Sequence, residues 1–234
     1  MEQLPNGFTL QLTDGAFPLS TDSMVLSHFV HLPRNANVLD LGSGCGTLGL
    51  LLCSRNENCT VTGLEIEDQA HLGAVENIRR NGLDARMESI CMDLRSVSER
   101  FSPGSFSCVV SNPPYFSGGP ASKALTTARR EDNCSCTGLF RAAGFALKYG
   151  GDFFLVHRPE RLGELIAEGA KNKLEAKRLR LLRHKEDGPI ALIFLQLRKG
   201  GKPGLIWEEA ALFHKDGSPT DFYKEVYHLD KDSP

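Results

Sequence analysis

The 234-residue chain has no apolar run reaching the roughly 18 residues that a membrane-crossing helix needs. Its opening residues, MEQLPNGFTLQLTDG, hold no basic segment followed by an apolar stretch, so no secretory leader is expected. There is no internal repeat and no low-complexity segment, which sets repeat arrays aside. The seven cysteines, at 45, 53, 59, 91, 108, 134 and 136, include one close pair, Cys134-x-Cys136. It has neither a second pair nor nearby histidines, so no metal site is expected. Cys91 and Cys108 fall in apolar, strand-like runs and read as small buried hydrophobes. Such thiols fit a reduced, cytoplasmic protein.

What is present is enough for one large domain, burying roughly 70–75 % of its unfolded surface. With 41 % hydrophobic and 24 % charged residues, composition is that of an ordinary globular chain. From residue 37 onward, short apolar runs alternate with helical patterns. NVLDL, TVTGLEI, ARMESICMD, FSCVVSN and DFFLVH read as strands. TLGLLLCS reads as a helix, and so does TGLFRAAGFALKYGG, ended by Gly150–Gly151. DQAHLGAVENIRRNG reads as a helix with Leu72, Val75 and Ile78 on one face and Gly82 as its cap. PERLGELIAEGAKN is a helix with proline at its start.

EAKRLRLLRH and IALIFLQL flank Asp187-Gly188-Pro189; so short a turn forces the two strands antiparallel. Strands alternating with helices imply a parallel sheet. The expected fold class is therefore α/β: a Rossmann-like, seven-stranded, mostly parallel sheet with one antiparallel strand and helices on both faces. Residues 1–35 read as an extension, with a hairpin from GFTLQL and GAFPL and a helix from STDSMVLSHFV capped by Thr21 or Asp22. Residues 36–200 form the main domain. Residues 201–234 extend it with a strand or hairpin at LIWEEAALFH and a helix at TDFYKEVYHL.

Between the first core strand and its helix lies Asp40-Leu-Gly42-Ser-Gly44-Cys-Gly46. In an open parallel sheet, ligands bind at the carboxyl ends of the strands. Glycines there let the backbone approach a ligand closely. The spacing is G-x-G-x-G, not the G-x-G-x-x-G of dinucleotide folds. Asp40 would repel a phosphate but suits a cationic amine, such as the methionyl ammonium of S-adenosylmethionine. Glu65 ends the next strand and can accept from both ribose hydroxyls; Asp93 ends the third and can accept from an adenine amino group.

The fourth strand runs into VVSNPPYFSGGP. Asn112, before a proline, is biased to extended backbone, and Pro113 and Pro114 leave the following segment few alternatives. The Asn112 side chain and the Pro113 carbonyl are two acceptors for the hydrogens of one planar NH₂ group. Tyr115 offers a face for a stacked base. An exocyclic amine is a poor nucleophile, and acceptors on its hydrogens stabilise the positive charge that grows during methyl transfer.

Charge is uneven beneath a net value of −2. Residues 171–202 carry ten lysines and arginines against three acids, a local +7 that leaves −9 for the rest. Lys173, Lys177, Arg178, Arg180 and Arg183 are candidate phosphate contacts for a polyanion. In a strand, Lys177 and Leu179 face one way and Arg178 and Arg180 the other, so some must turn from any single RNA surface. His157 and His184 read as ordinary strand-end histidines.

On these residues the chain resembles the N-methyltransferases with an (Asn/Asp/Ser)-Pro-Pro-(Tyr/Phe) motif. More narrowly, it resembles the bacterial family that N6-methylates the adenine beside the anticodon of a valine tRNA. NGFTLQL, STDSMVLSHF, VLDLGSGCGTLGLLL, SNPPYF, the ARRE segment at 128–131 and GGDFFLVHRPERL carry the likeness.

The resemblance implies a class I methyltransferase fold with S-adenosylmethionine held by Asp40, Gly42, Gly44, Gly46, Glu65 and Asp93. Thr21 and Asp22 would help near its methionine end. Asn112 to Tyr115 would grip the target amine, with Phe116, Arg129, Arg130 and the basic strand on the RNA. The same motif serves enzymes that methylate a protein glutamine, but those carry a helical N-terminal domain, for which about 35 residues leave no room. DNA adenine methylation lacks a target-recognition domain here. A catalytically silent cofactor- or RNA-binding module is the non-enzyme alternative.

Overall fold

The computed structural model describes residues 2–4, 7–12, 19–113 and 136–228. Two short strands come first, β1 (Glu2–Gln3) and β2 (Thr9–Leu10), paired antiparallel. The other strand expected of this hairpin, GAFPL, lies outside the described residues apart from Leu19; β2 pairs with Glu2–Gln3. Helix α1 (Thr21–Phe29) is capped by Ser20, whose hydroxyl accepts from the Ser23 amide, not by Thr21 or Asp22.

The α/β core then alternates as expected. It runs β3 (Asn37–Leu41), α2 (Thr47–Arg55), β4 (Thr60–Glu65), α3 (Asp68–Arg80), β5 (Met87–Cys91), α4 (Val97–Arg100) and β6 (Phe106–Ser111). After residues 114–135, which lie outside the described set, come α5 (Cys136–Ala146), β7 (Leu147–His157), α6 (Leu162–Lys171), β8 (Leu174–Lys185) and β9 (Ile190–Lys199). The C-terminal extension supplies β10 (Ile206–Phe213) and α7 (Asp221–Tyr227). No helix among the described residues is long and apolar enough to cross a membrane.

The main sheet has eight strands, not seven, in the order β10-β8-β9-β7-β6-β3-β4-β5. The added strand is β10, which pairs parallel to β8. Strand β9 is the antiparallel member, as the short turn after β8 requires. Period-two alternation splits the core into two layers. Val38, Val110, Phe154 and Phe194 pack under α1 and α2, while Leu39, Val109, Phe153 and Leu195 pack under α5. Phe29 of α1 meets Phe154 edge-on at 5.9 Å and Phe194 at 6.0 Å between centroids, which pins α1 to the sheet.

Two local expectations change. Helix α3 buries Gly73, Ala74, Asn77 and Ile78, whereas Leu72 and Val75 are exposed. Its inner face is chosen by a polar task. Asn77 and Asn81, one turn apart, exchange hydrogen bonds with the backbone of Gln11 and Thr9 at 2.8–2.9 Å, acting as a partner edge for the N-terminal segment. Helix α5 ends at Ala146, four residues before Gly150. Leu147 already pairs with Phe106, and the next pair is Cys108 with Asp152, so the intervening residues bulge outward around Gly150 at φ 78°.

Candidate active site

The carboxyl edge of β3, β4 and β6 gathers the glycine loop, Glu65 and Asn112. Gly42, Gly44 and Gly46 all hold left-handed backbone, φ 75°, 55° and 82°, which other residues adopt only with strain. A side chain on Gly42 or Gly44 would meet none of the described residues within 4 Å. The loop is lashed to β4: the Gly42 and Ser43 amides donate to the Leu64 carbonyl at 2.9 and 3.0 Å. Glu65 accepts from the Gly44 amide at 2.7 Å and from the Glu67 amide at 2.9 Å. From below, Asn77 donates to the Cys45 carbonyl at 3.0 Å. Cys45 is buried.

Asp40 is buried beside this loop, and its Oδ2 has no hydrogen-bond partner among the described residues. Burial, followed by the Glu65 charge, pushes its pKa up to about 7. Asp93 behaves differently. It caps the turn at Leu94–Ser96 and takes hydrogen bonds from the Arg95 amide at 2.8 Å and the Arg95 guanidinium at 2.7 Å. Burial raises its pKa, but the Arg95 hydrogen bonds outweigh this and hold the carboxyl below its usual range.

At the end of β6, Ser111 donates to the Leu41 carbonyl at 2.7 Å. The next side chain, Asn112, donates through Nδ2 to Ser23 Oγ of α1 at 3.0 Å. Pro113 is buried. Pro114, Tyr115, Phe116, Arg129 and Arg130 lie outside the described residues, as does Cys134. Thr21 meets the Tyr227 hydroxyl of α7 at 3.2 Å. Asp22 has its pKa raised by burial, against the pull of a backbone hydrogen bond and Arg158.

The basic segment is not one surface. Arg178 and Arg180 turn inward, their side chains 18 % and 13 % exposed, and share Glu208 at 2.9 and 2.7 Å. Both stack over Phe29, at 4.6 and 5.2 Å from its centroid. The expectation that they contact phosphate meets a pair of guanidiniums already engaged by β10 and α1. The Lys177 ammonium donates to the Lys202 carbonyl at 2.9 Å. Lys173 lies at the amino edge of the sheet, opposite Asn112, because β8 runs parallel to β7 and β6. Twelve residues of strand separate it from Lys185, roughly 40 Å. Arg183 is at the carboxyl edge, donating to the Gly188 carbonyl at 2.6 Å with Glu209 3.7 Å away. A cavity of about 400 Å³ opens at the amino edge, lined by Pro33, Lys148, Asp152 and Arg198, away from Asn112.

Residues 19–166 match the model of the methyltransferase small domain. The chain belongs to that family.

Among relatives of this methyltransferase small domain protein is a tRNA1(Val) (adenine(37)-N6)-methyltransferase from Shewanella halifaxensis. It is 31 % identical over 152 residues, covering 64 % of this chain and 61 % of the relative. The protein of the same name from Bacteroides fragilis is 34 % identical, covering 64 % and 63 %. The chain thus spans about three fifths of their length. A namesake from Vibrio parahaemolyticus is 28 % identical over 226 residues, covering 95 % and 92 %.

Among solved structures, a predicted O-methyltransferase from Agrobacterium tumefaciens superposes with a TM-score of 0.75 at 21 % identity, covering 89 % of this chain and 96 % of that one. The [4+2]-cyclase SpnF superposes at 0.58 with 13 % identity, covering 77 % and 81 %. These likenesses establish the class I methyltransferase fold. The cyclase shows that the fold alone does not name the reaction.

The methyl donor expected for this family is S-adenosylmethionine, and the residues described fit it. Among the described residues, none would meet a side chain on Gly42 or Gly44, and none partners the buried Asp40 oxygen, a place a cationic group would fill. Two supporting residues escaped sequence reasoning, Ser23 and Asn77. Each acts on a segment 32 or more positions away, and neither belongs to a motif with local spacing.

Proposed function

We propose that the protein catalyses S-adenosylmethionine-dependent N6-methylation of an adenine in RNA, with the adenine beside the anticodon of a valine tRNA as the target. The observation that carries this reading is Asn112 at the end of β6, its Nδ2 engaged by Ser23. Its Oδ1 is thereby left to accept from a substrate amine. Beside it, the Pro113 carbonyl can take the second amine hydrogen.

S-adenosylmethionine supplies an electrophilic methyl group on a positively charged sulfur. Asp40, Gly42, Gly44 and Glu65 would hold it at the same edge as Asn112. The chain's own residues do the rest. Asn112 and the Pro113 carbonyl orient the amine for attack and are dipoles already placed where positive charge develops. Tyr115 offers a stacking face to the flipped base, an event that costs little in an anticodon loop.

The relatives' names support adenine in tRNA over a protein glutamine. tRNA is accordingly the proposed partner and the cytoplasm the proposed location. The test is tritium transfer from labelled S-adenosylmethionine to bulk tRNA, followed by nucleoside mass spectrometry. N6-methyladenosine that Asn112→Ala abolishes supports the reading. Label in protein alone, or binding without transfer, overturns it.

A further inference from the structure

We infer that Ser23 is a positioning residue that sets which way the Asn112 carboxamide faces; the inference rests on the proposed methyl transfer to an amine. An asparagine amide has an acceptor at one end and two donors at the other, and rotation by half a turn exchanges them. Only one orientation serves. With Oδ1 toward the substrate, Asn112 accepts from the amine. With Nδ2 toward it, two donors face each other and the growing positive charge is opposed.

Strand β6 and Pro113 fix the Asn112 backbone but leave this rotation open. Ser23 closes it. Its hydroxyl lies 3.0 Å from Nδ2, giving the amide donor a place to go other than the substrate. Ser23 is itself held. It is 6 % exposed, and its amide donates to the cap Ser20 at 3.3 Å. Its helix is pinned by Phe29 against Phe154 and Phe194. Substrate, arriving as a donor, prefers the same orientation, so amine and serine select it from opposite sides.

Of the two buried serines of α1, Ser27 donates to the Met24 carbonyl at 2.8 Å, whereas Ser23 accepts from Asn112. One net hydrogen bond is worth on the order of a fivefold to tenfold population shift.

The test uses the full-length protein with S-adenosylmethionine and tRNA, comparing Ser23→Ala and Ser23→Thr. Ser23→Ala is expected to lower kcat on the order of tenfold. S-adenosylmethionine affinity and thermal midpoint should stay near wild type. Ser23→Thr, which keeps the hydroxyl, should recover most of kcat. The Asn112 side-chain NH₂, followed by NMR without RNA, should lose its hydrogen-bonded shift and exchange protection in Ser23→Ala. An unchanged NH₂ signal, or equal loss of kcat in both variants, overturns the inference. A wild-type protein that methylates no adenine overturns the proposed function instead, while the NMR comparison still decides the Ser23–Asn112 contact.

Discussion

Glu65 closes the glycine loop by accepting from the Gly44 amide at 2.7 Å, so the residue at the end of β4 shapes the turn that follows β3. It holds the loop, and its proposed second role is to take a ligand's ribose. Glu65→Ala should weaken S-adenosylmethionine binding at least tenfold by calorimetry. It should also cost about 1–3 kcal/mol of stability, because two amides lose their acceptor. Unchanged affinity would remove Glu65 from the cofactor site.

With Asp40 in the proposed cofactor site, donor binding should depend on pH. Its folded-state pKa of about 7 lies above the ordinary 3.8. Between those values the folded, ligand-free protein keeps a proton that the unfolded chain has lost, so its stability falls as pH rises from about 4 to 7. A cationic ligand needs the ionised form. Affinity for S-adenosylmethionine should therefore rise roughly tenfold per unit up to pH 7 and then level, with a proton released on binding below 7. Asp40→Asn should bind more weakly and flatten the profile. Calorimetry in buffers of different ionisation enthalpy measures both.

Asn112→Ala should leave S-adenosylmethionine affinity within about twofold, while kcat falls by about 10²–10³, the usual consequence of losing one preorganised electrostatic partner. Single-turnover transfer to tRNA separates the two effects. Lost cofactor binding would mean that Asn112 props the fold instead.

The basic residues should divide by location. Arg183→Ala should weaken RNA binding and reduce the salt slope by about 1, whereas Lys173→Ala, at the far edge of the sheet, should change neither. Filter binding across a salt series checks this. Equal effects would mean that RNA wraps both edges.

Glu208→Ala should cost about 1–3 kcal/mol in chemical denaturation by leaving two nearly buried guanidiniums without their carboxylate. A neutral result would show that their other partners, Phe29 for both, Phe222 for Arg180 and His31 for Arg178, hold them.

Much of this was legible in the chain. The glycine loop and the Asn112-Pro113 step are local, so residue type and spacing reveal them. The strand–helix alternation gave the sheet, and the four-residue connection after β8 gave its antiparallel member. What was not legible depends on distant partners. Leu72 and Val75 look like a core face until Asn77 and Asn81 prove to hold Thr9 and Gln11. Arg178 and Arg180 look like an RNA surface until β10 brings Glu208 beside them. Strand β10 itself carries exposed Ile206 and Trp207, which blur its pattern.

The junction of α7 with α1 orders events during synthesis. Thr21 meets Tyr227, 206 positions later, and the Arg55 guanidinium donates to the Val226 carbonyl. Helix α1, the glycine loop and β3 to β6 all leave the ribosome before α7. Thr21 of α1 and Arg55 of α2 receive these contacts only once Val226 and Tyr227 emerge, about ten seconds or more after Thr21 at about 5–20 residues per second. A chain ending before Asp221 would lack both contacts and leave α1 held by packing such as that of Phe29 on Phe154 and Phe194.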